Sequence, residues 1–131
     1  MLDARPGRDR GSVSGFVVVL TLAVLACAGL VIDGARVVGA KVEAADHAEN
    51  AARAGAQAII ARDGVVTLDL VRARRAANAY LGSVGVSGIV SVTPSRITVT
   101  VRKTVDTTLL GLVGISAKTV SATRSSDPVT E

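Results

Sequence analysis

The sequence predicts an α+β fold: a long N-terminal transmembrane helix extended outside the membrane, a second helix and a small antiparallel three-stranded sheet. Three observations carry this prediction. Residues 11–32 contain no charged side chain. Alanine then recurs at every fourth position from Ala40 to Ala56. From Ile89 to Arg102 the apolar period shortens to two.

Composition narrows the possibilities further. The 131 residues leave room for one domain once a membrane segment is set aside. Aromatic residues make up 2% of the chain, namely Phe16 and Tyr80, so the usual aromatic-lined ligand pocket is not expected. Cys27 is the single cysteine, which rules out an intrachain disulfide and a cysteine-based metal cage. The net charge is +4, and most of the positive charge is arginine.

The elements follow in order. Residues 1–11 are polar and read as a cytoplasmic N-terminal tail or a short leader, with Arg5, Arg8 and Arg10 set against Asp3 and Asp9. The uncharged run to Ile32 would span about 33 Å as a helix, against a hydrocarbon core of about 30 Å. Residues 12–32 are therefore assigned as the transmembrane helix. The arginines before the run put the N-terminus in the cytoplasm and residues 33–124, an extracytoplasmic α+β domain, outside.

Two processing sites compete with retention. Ala26-Cys27-Ala28 offers small residues for signal cleavage, and Val24-Leu-Ala-Cys27 weakly resembles a lipobox. The alternative chain is a secreted or lipid-anchored binding module, released by cleavage near Ala28 or Cys27. Gly29-Leu-Val-Ile32 continues the apolar run past both sites, which favours a retained helix.

From Asp33 to Arg62 there is no proline and helix formers dominate. The helix is expected to leave the membrane unbroken and to stop at Asp63-Gly64. Ala40, Ala44, Ala48, Ala52 and Ala56 fall on one slowly drifting face, a candidate helix-packing face. Small residues let backbones approach closely, so this face serves either the protein's own sheet and second helix or a partner helix. Thr67 is expected to cap the second helix, which runs to about Leu81 with Asp69 in its first turn.

Gly82, Gly85 and Gly88 loosen the chain before the strands. Ile89–Thr93 is one strand, Pro94-Ser95 a turn and Arg96–Arg102 a second strand, with Ile97, Val99 and Val101 on the dry face. A short helical turn is expected between Thr107 and Val113, and a third strand from Ile115 to Thr123. Residues 125–131 read as a flexible tail.

Few side chains invite chemistry. Asp33 and Arg36 lie one helical turn apart at the expected membrane boundary. They form either an i,i+3 pair marking the helix exit or a polar contact to a neighbouring membrane protein. Glu43 and His47 share a face, but a bundle metal site needs ligands from a facing helix, and the second helix offers only Asp69. No nucleophile is tied to His47 by a motif. Catalytic residues, metal ligands and cofactors are accordingly not expected. Arg72, Arg74 and Arg75 form a basic patch without neighbouring aromatics to stack bases, so a solvated face or anionic headgroups is preferred over nucleic acid.

One resemblance emerges. Arg10-Gly11-Ser12-Val13, an apolar helix, Gly29-Leu-Val-Ile-Asp33-Gly34-Ala35-Arg36 and then an Ala-rich amphipathic helix resemble the start of TadE-like and TadG-like proteins of the tight-adherence (Flp) pilus machinery. A weaker likeness continues at Thr98-Val-Thr-Val101 and Leu109-Leu-Gly-Leu-Val-Gly114. The resemblance implies a pilin-like arrangement and a non-catalytic, single-pass component of pilus assembly or secretion in the bacterial cell membrane. Its implied partners are the membrane and other pilus-assembly membrane proteins or pseudopilins, with no nucleic acid and no small-molecule substrate. Gly11 could end a prepilin-type leader. The fifth residue after it is Phe16, where prepilin relatives carry a glutamate, and no carboxylate occurs between Gly11 and Asp33. This departure favours the TadG-like branch with an uncleaved anchor.

Overall fold

The computed structural model describes residues 9–129. Most of the expected leader, and the last two residues of the expected tail, lie outside the described residues. One helix dominates. Helix α1 runs from Asp9 to Ala56, and its first half is an apolar rod. In its most apolar window the mean hydropathy is 2.8 and only 6% of the residues are buried. A helix in the core of a water-soluble domain would be mostly covered. This stretch is long and apolar enough to cross a bilayer.

The second half of α1 is packed. Ala40, Ala44, Ala48, Ala52 and Ala56 are buried, together with Ala51. They meet helix α2, Leu70–Ser83, which buries Ala73, Ala77 and Leu81 at four-residue intervals. Small residues on both helices bring the backbones close. An added Cβ at Gly55 would lie 2.9 Å from the Ala73 carbonyl oxygen and 2.2 Å from Cδ1 of Ile97.

α1 ends earlier than the sequence suggests. Its last residue is Ala56, and Ile59–Arg62 form strand β1, paired antiparallel with strand β2, Val65–Leu68. The Asp63-Gly64 pair expected to stop a helix instead turns a two-residue hairpin, with φ of 51° and 80°. Positive φ at both turn positions matches the right-handed twist of the strands, which is why Asp-Gly serves there. The β-branched Ile59, Ile60, Val65 and Val66 overrule the helix propensity of their neighbours. The hairpin is tied down at its base: Asp69 N–H donates to Ala58 O and Leu68 N–H to Pro94 O, each at 2.8 Å. Thr67 therefore lies in a strand and does not cap α2. Asp69 does, accepting from the N–H groups of Val71 and Arg72 at 3.1 and 3.0 Å.

The remaining strands form the expected three-stranded antiparallel sheet. Its order is β3-β4-β5, with β3 at Gly88–Thr93, β4 at Arg96–Asp106 and β5 at Ala117–Ser126. Ile97, Val99 and Val101 are fully buried against α1, and the opposite face is wet. There Thr98, Thr100 and Thr104 hydrogen-bond Ser125, Thr123 and Thr119 across the strands at 2.9–3.0 Å. β5 continues through Ser126, and Asp127 pairs with Arg96 at 2.7 Å, so order reaches into the segment that composition reads as a tail.

β4 runs antiparallel to α1, and three contacts fix their alignment. Ile97 reaches Gly55, Lys103 pairs with Glu43, and Thr108 just beyond the strand bonds Asp33. From 97 to 103 the strand rises about 20 Å, while from 55 to 43 the helix rises about 18 Å. Each strand residue thus spans two helix residues. The β4–β5 hairpin is carried down the helix toward the apolar rod.

Candidate functional site

The β4–β5 loop, residues 107–116, closes over α1 where the charge-free run ends. Its centre is a 3-10 turn, Leu110–Val113, preceded by Leu109, whose side chain provides no cap. The first N–H groups of such a turn lack partners within it. Asp33 supplies them from the other end of the chain. Its carboxylate accepts from Thr108 N–H at 3.0 Å, Leu109 N–H at 2.8 Å and Leu110 N–H at 3.0 Å. Asp33 is 1% exposed and is the only charged side chain among the buried described residues.

A buried carboxylate is costly unless its charge is answered. Here the three amide dipoles converge on both oxygens, and the Arg36 guanidinium stands 3.8 Å from Oδ1. Arg36 also donates to Thr108 Oγ1 at 2.7 Å, so it bridges the helix and the loop. The Asp33 carboxyl is held below the usual carboxylate range, first by the Thr108 N–H, then by the other two amides and Arg36, against the opposing pull of desolvation. No buried side-chain nitrogen or oxygen is left without a partner among the described residues.

Packing accompanies this clasp. The Leu109 side chain fills the space beside Gly29, where an added Cβ would fall 1.2 Å from Leu109 Cδ1. Gly29 is thus a notch in the helix, and Leu109 is its key. Neither Gly34 nor Gly39 has a neighbour within 4 Å of such a Cβ.

Sequence reasoning brought Asp33 and Arg36 together but missed their main partner. Both Asp33 oxygens are occupied within the chain, whereas the Arg36 side chain is half exposed. The partner lies 75 to 77 residues away, and no local pattern announces it. The leucine-rich turn was visible in the sequence, but Thr107 and Thr108 before it offered caps of their own, so nothing pointed to Asp33. Of the other highlighted residues, the alanine ladder faces α2 and the sheet. Gly11 is open on all sides.

The polar cluster higher on α1 is a separate feature. Lys103 pairs with Glu43, which holds the Glu43 carboxyl low, with His47 contributing less. His47 Nδ1 lies 3.4 Å from the Tyr80 hydroxyl, to which Asn50 donates at 3.2 Å. Among the described residues no group of three or more His, Cys, Asp and Glu side chains could hold a metal. Arg72, Arg74 and Arg75 are exposed on α2, whereas Tyr80 is half-buried against α1.

No curated protein and no solved structure matches the chain. Residues 11–58 match the family described as "Tad: Putative Flp pilus-assembly TadE/G-like". The matched segment is α1 from Gly11 onward with the two residues after it, so it holds Gly29, Asp33, Arg36 and the whole alanine ladder, while the loop that Asp33 grips lies outside it. Over that segment, the long helix, the chain is similar to TadE/G-like proteins.

Proposed function

We propose that the protein is a non-catalytic, single-pass membrane component of Flp-type pilus assembly or secretion. The observation that carries this reading is the family match over residues 11–58, which coincides with the apolar rod and its packed extension. In this reading the rod spans the bacterial cell membrane with its N-terminus in the cytoplasm, and the α+β domain stands outside. The arginines at positions 5, 8 and 10 and the charge-free run after them support that orientation. Asp33 marks the outer boundary, where the helix leaves lipid and receives the loop.

The work of such a component is positional. α1 holds a folded domain at a set height above the membrane, and the domain offers surfaces to neighbouring pilus-assembly proteins. Deleting the gene should reduce surface pili and adhesion, with restoration by the intact gene; unchanged pili in the deletion strain would sink the proposal. The anchor has its own test. Mass spectrometry of the membrane-extracted protein should find the residues before Cys27 still attached, and a chain starting at a lipidated Cys27 or just after Ala28 would contradict a retained span.

A further inference from the structure

The 3-10 turn of the β4–β5 loop carries more apolar surface outward than its place in a water-soluble domain would explain. Leu112 is 80% exposed and Val113 75%, and Ile115 beside them is half exposed. Leu109, by contrast, is turned inward onto Gly29. Much of the loop's backbone is also hydrogen-bonded within the chain. Thr107 N–H bonds Ser116 O, Leu112 N–H bonds Leu109 O, Gly114 N–H bonds Gly111 O and Ile115 N–H bonds Leu110 O, all at 2.9–3.1 Å. The Thr107 hydroxyl takes Ile115 O as well, and Asp33 accepts the N–H groups of residues 108–110. Backbone groups satisfied in this way are what a segment needs where water is scarce.

The depth of the loop follows from what it grips. The charge-free run of 22 residues is only about 3 Å longer than the hydrocarbon core, so a spanning helix has little freedom to slide. Gly29 lies three residues inside the outer end of that run, about 5 Å below Ile32 along the axis. Leu109 is seated on Gly29, and Leu112 and Val113 belong to the same turn. Polarity changes in the same direction. Arg36, Asp106 and Lys118 stand at the base of the loop, and the aliphatic tip lies beyond them.

We infer that the tip of the β4–β5 loop is a second membrane contact: Leu112, Val113 and Ile115 enter the outer leaflet beside the anchor, held at that depth by Asp33 and Gly29. The ligand is the acyl region of a lipid surface. The inference rests on the proposed span, and the experiment separates the two.

The full chain, with Cys27→Ser as background, is reconstituted alone into phosphatidylcholine vesicles. An environment-sensitive fluorophore is placed at Leu112→Cys, at Leu22→Cys near the middle of the run, or at Ser121→Cys on exposed β5. Lipids carrying a nitroxide at a shallow or a deep acyl position are the quenchers. The expected result is loss of most emission at 112 with the shallow quencher, loss at 22 with the deep quencher, and no loss at 121. Quenching at 22 but none at 112 overturns the loop contact and leaves the anchor standing. No quenching at 22 overturns the anchor, and the loop contact falls with it.

Discussion

At the scale of single residues, Asp33 and Gly29 do different jobs for one loop. Asp33 supplies charge to three amides, and that contribution depends on pH. Its folded pKa lies below the reference value of 3.8, so the stabilisation is complete above that value and is lost as pH falls through the lower folded value. The amide resonances of Thr108, Leu109 and Leu110 should therefore titrate together in micelles with a midpoint below 3.8, and the joint titration should vanish in Asp33→Asn. Gly29 supplies room. Gly29→Ala must evict Leu109, whereas Gly34→Ala meets nothing and gains helix propensity of about 0.5–1 kcal/mol. Thermal unfolding should place Gly34→Ala at or above the parent and Gly29→Ala below it. A Gly29→Ala protein as stable as the parent would mean that Leu109 can find another seat.

At the scale of elements, the fold is a small sheet and a short helix laid on the upper half of a long helix. α1 and α2 approach tightly at Gly55, where Ala73 O stands in the way of a side chain. A backbone carbonyl cannot turn aside as a side chain can. Gly55→Ala should cost about 1–3 kcal/mol by forcing the two helices apart. Ile97→Ala, at the same contact, should cost about 2–5 kcal/mol, because a fully buried side chain leaves a cavity. Denaturant unfolding of both variants measures this. These contacts also show what could be read in advance. The alternation through Ile97, Val99 and Val101 and the four-residue alanine spacing are local patterns, and they gave the sheet and the packing helix. Asp63-Gly64 was ambiguous, because one dipeptide can end a helix or turn a hairpin. Only the β-branched pairs on both sides, and the tie from Asp69 to Ala58, decide for the hairpin. The Asp33 clasp was illegible for a different reason. It joins segments that are far apart in sequence, and its acceptors and donors are an ordinary carboxylate and three ordinary amides.

At the scale of the whole molecule, α1 and the β4–β5 hairpin run side by side with two helix residues per strand residue. This proportion lets Gly55, Glu43 and Asp33 all meet their partners at once. It can be broken at one end alone. One alanine inserted after Gly39 would rotate the lower helix by about 100° and turn Asp33 away from Thr108, while leaving Glu43 and Gly55 in register. The amide shifts of residues 108–110 should then move toward random-coil values, with those of residues 97–103 unchanged. Simultaneous loss of both sets would show that the clasp and the core fold as one unit.

The unbroken passage of α1 from apolar rod to packed core has a mechanical consequence. No break in α1 separates the two halves, and the contacts of Asp33 and Glu43 with the β4–β5 hairpin bracket Gly34 and Gly39, where the helix would bend most easily. In the proposed span, the domain would therefore act as a lever on its anchor. From Asp33 to Ala56 the arm is about 35 Å, so a 20° tilt of the rod would swing its far end by roughly 12 Å. With the rod in the bilayer as proposed, a neighbour that leans on it there would be felt at the Asp63-Gly64 hairpin, and a pull on that hairpin would be felt in the bilayer.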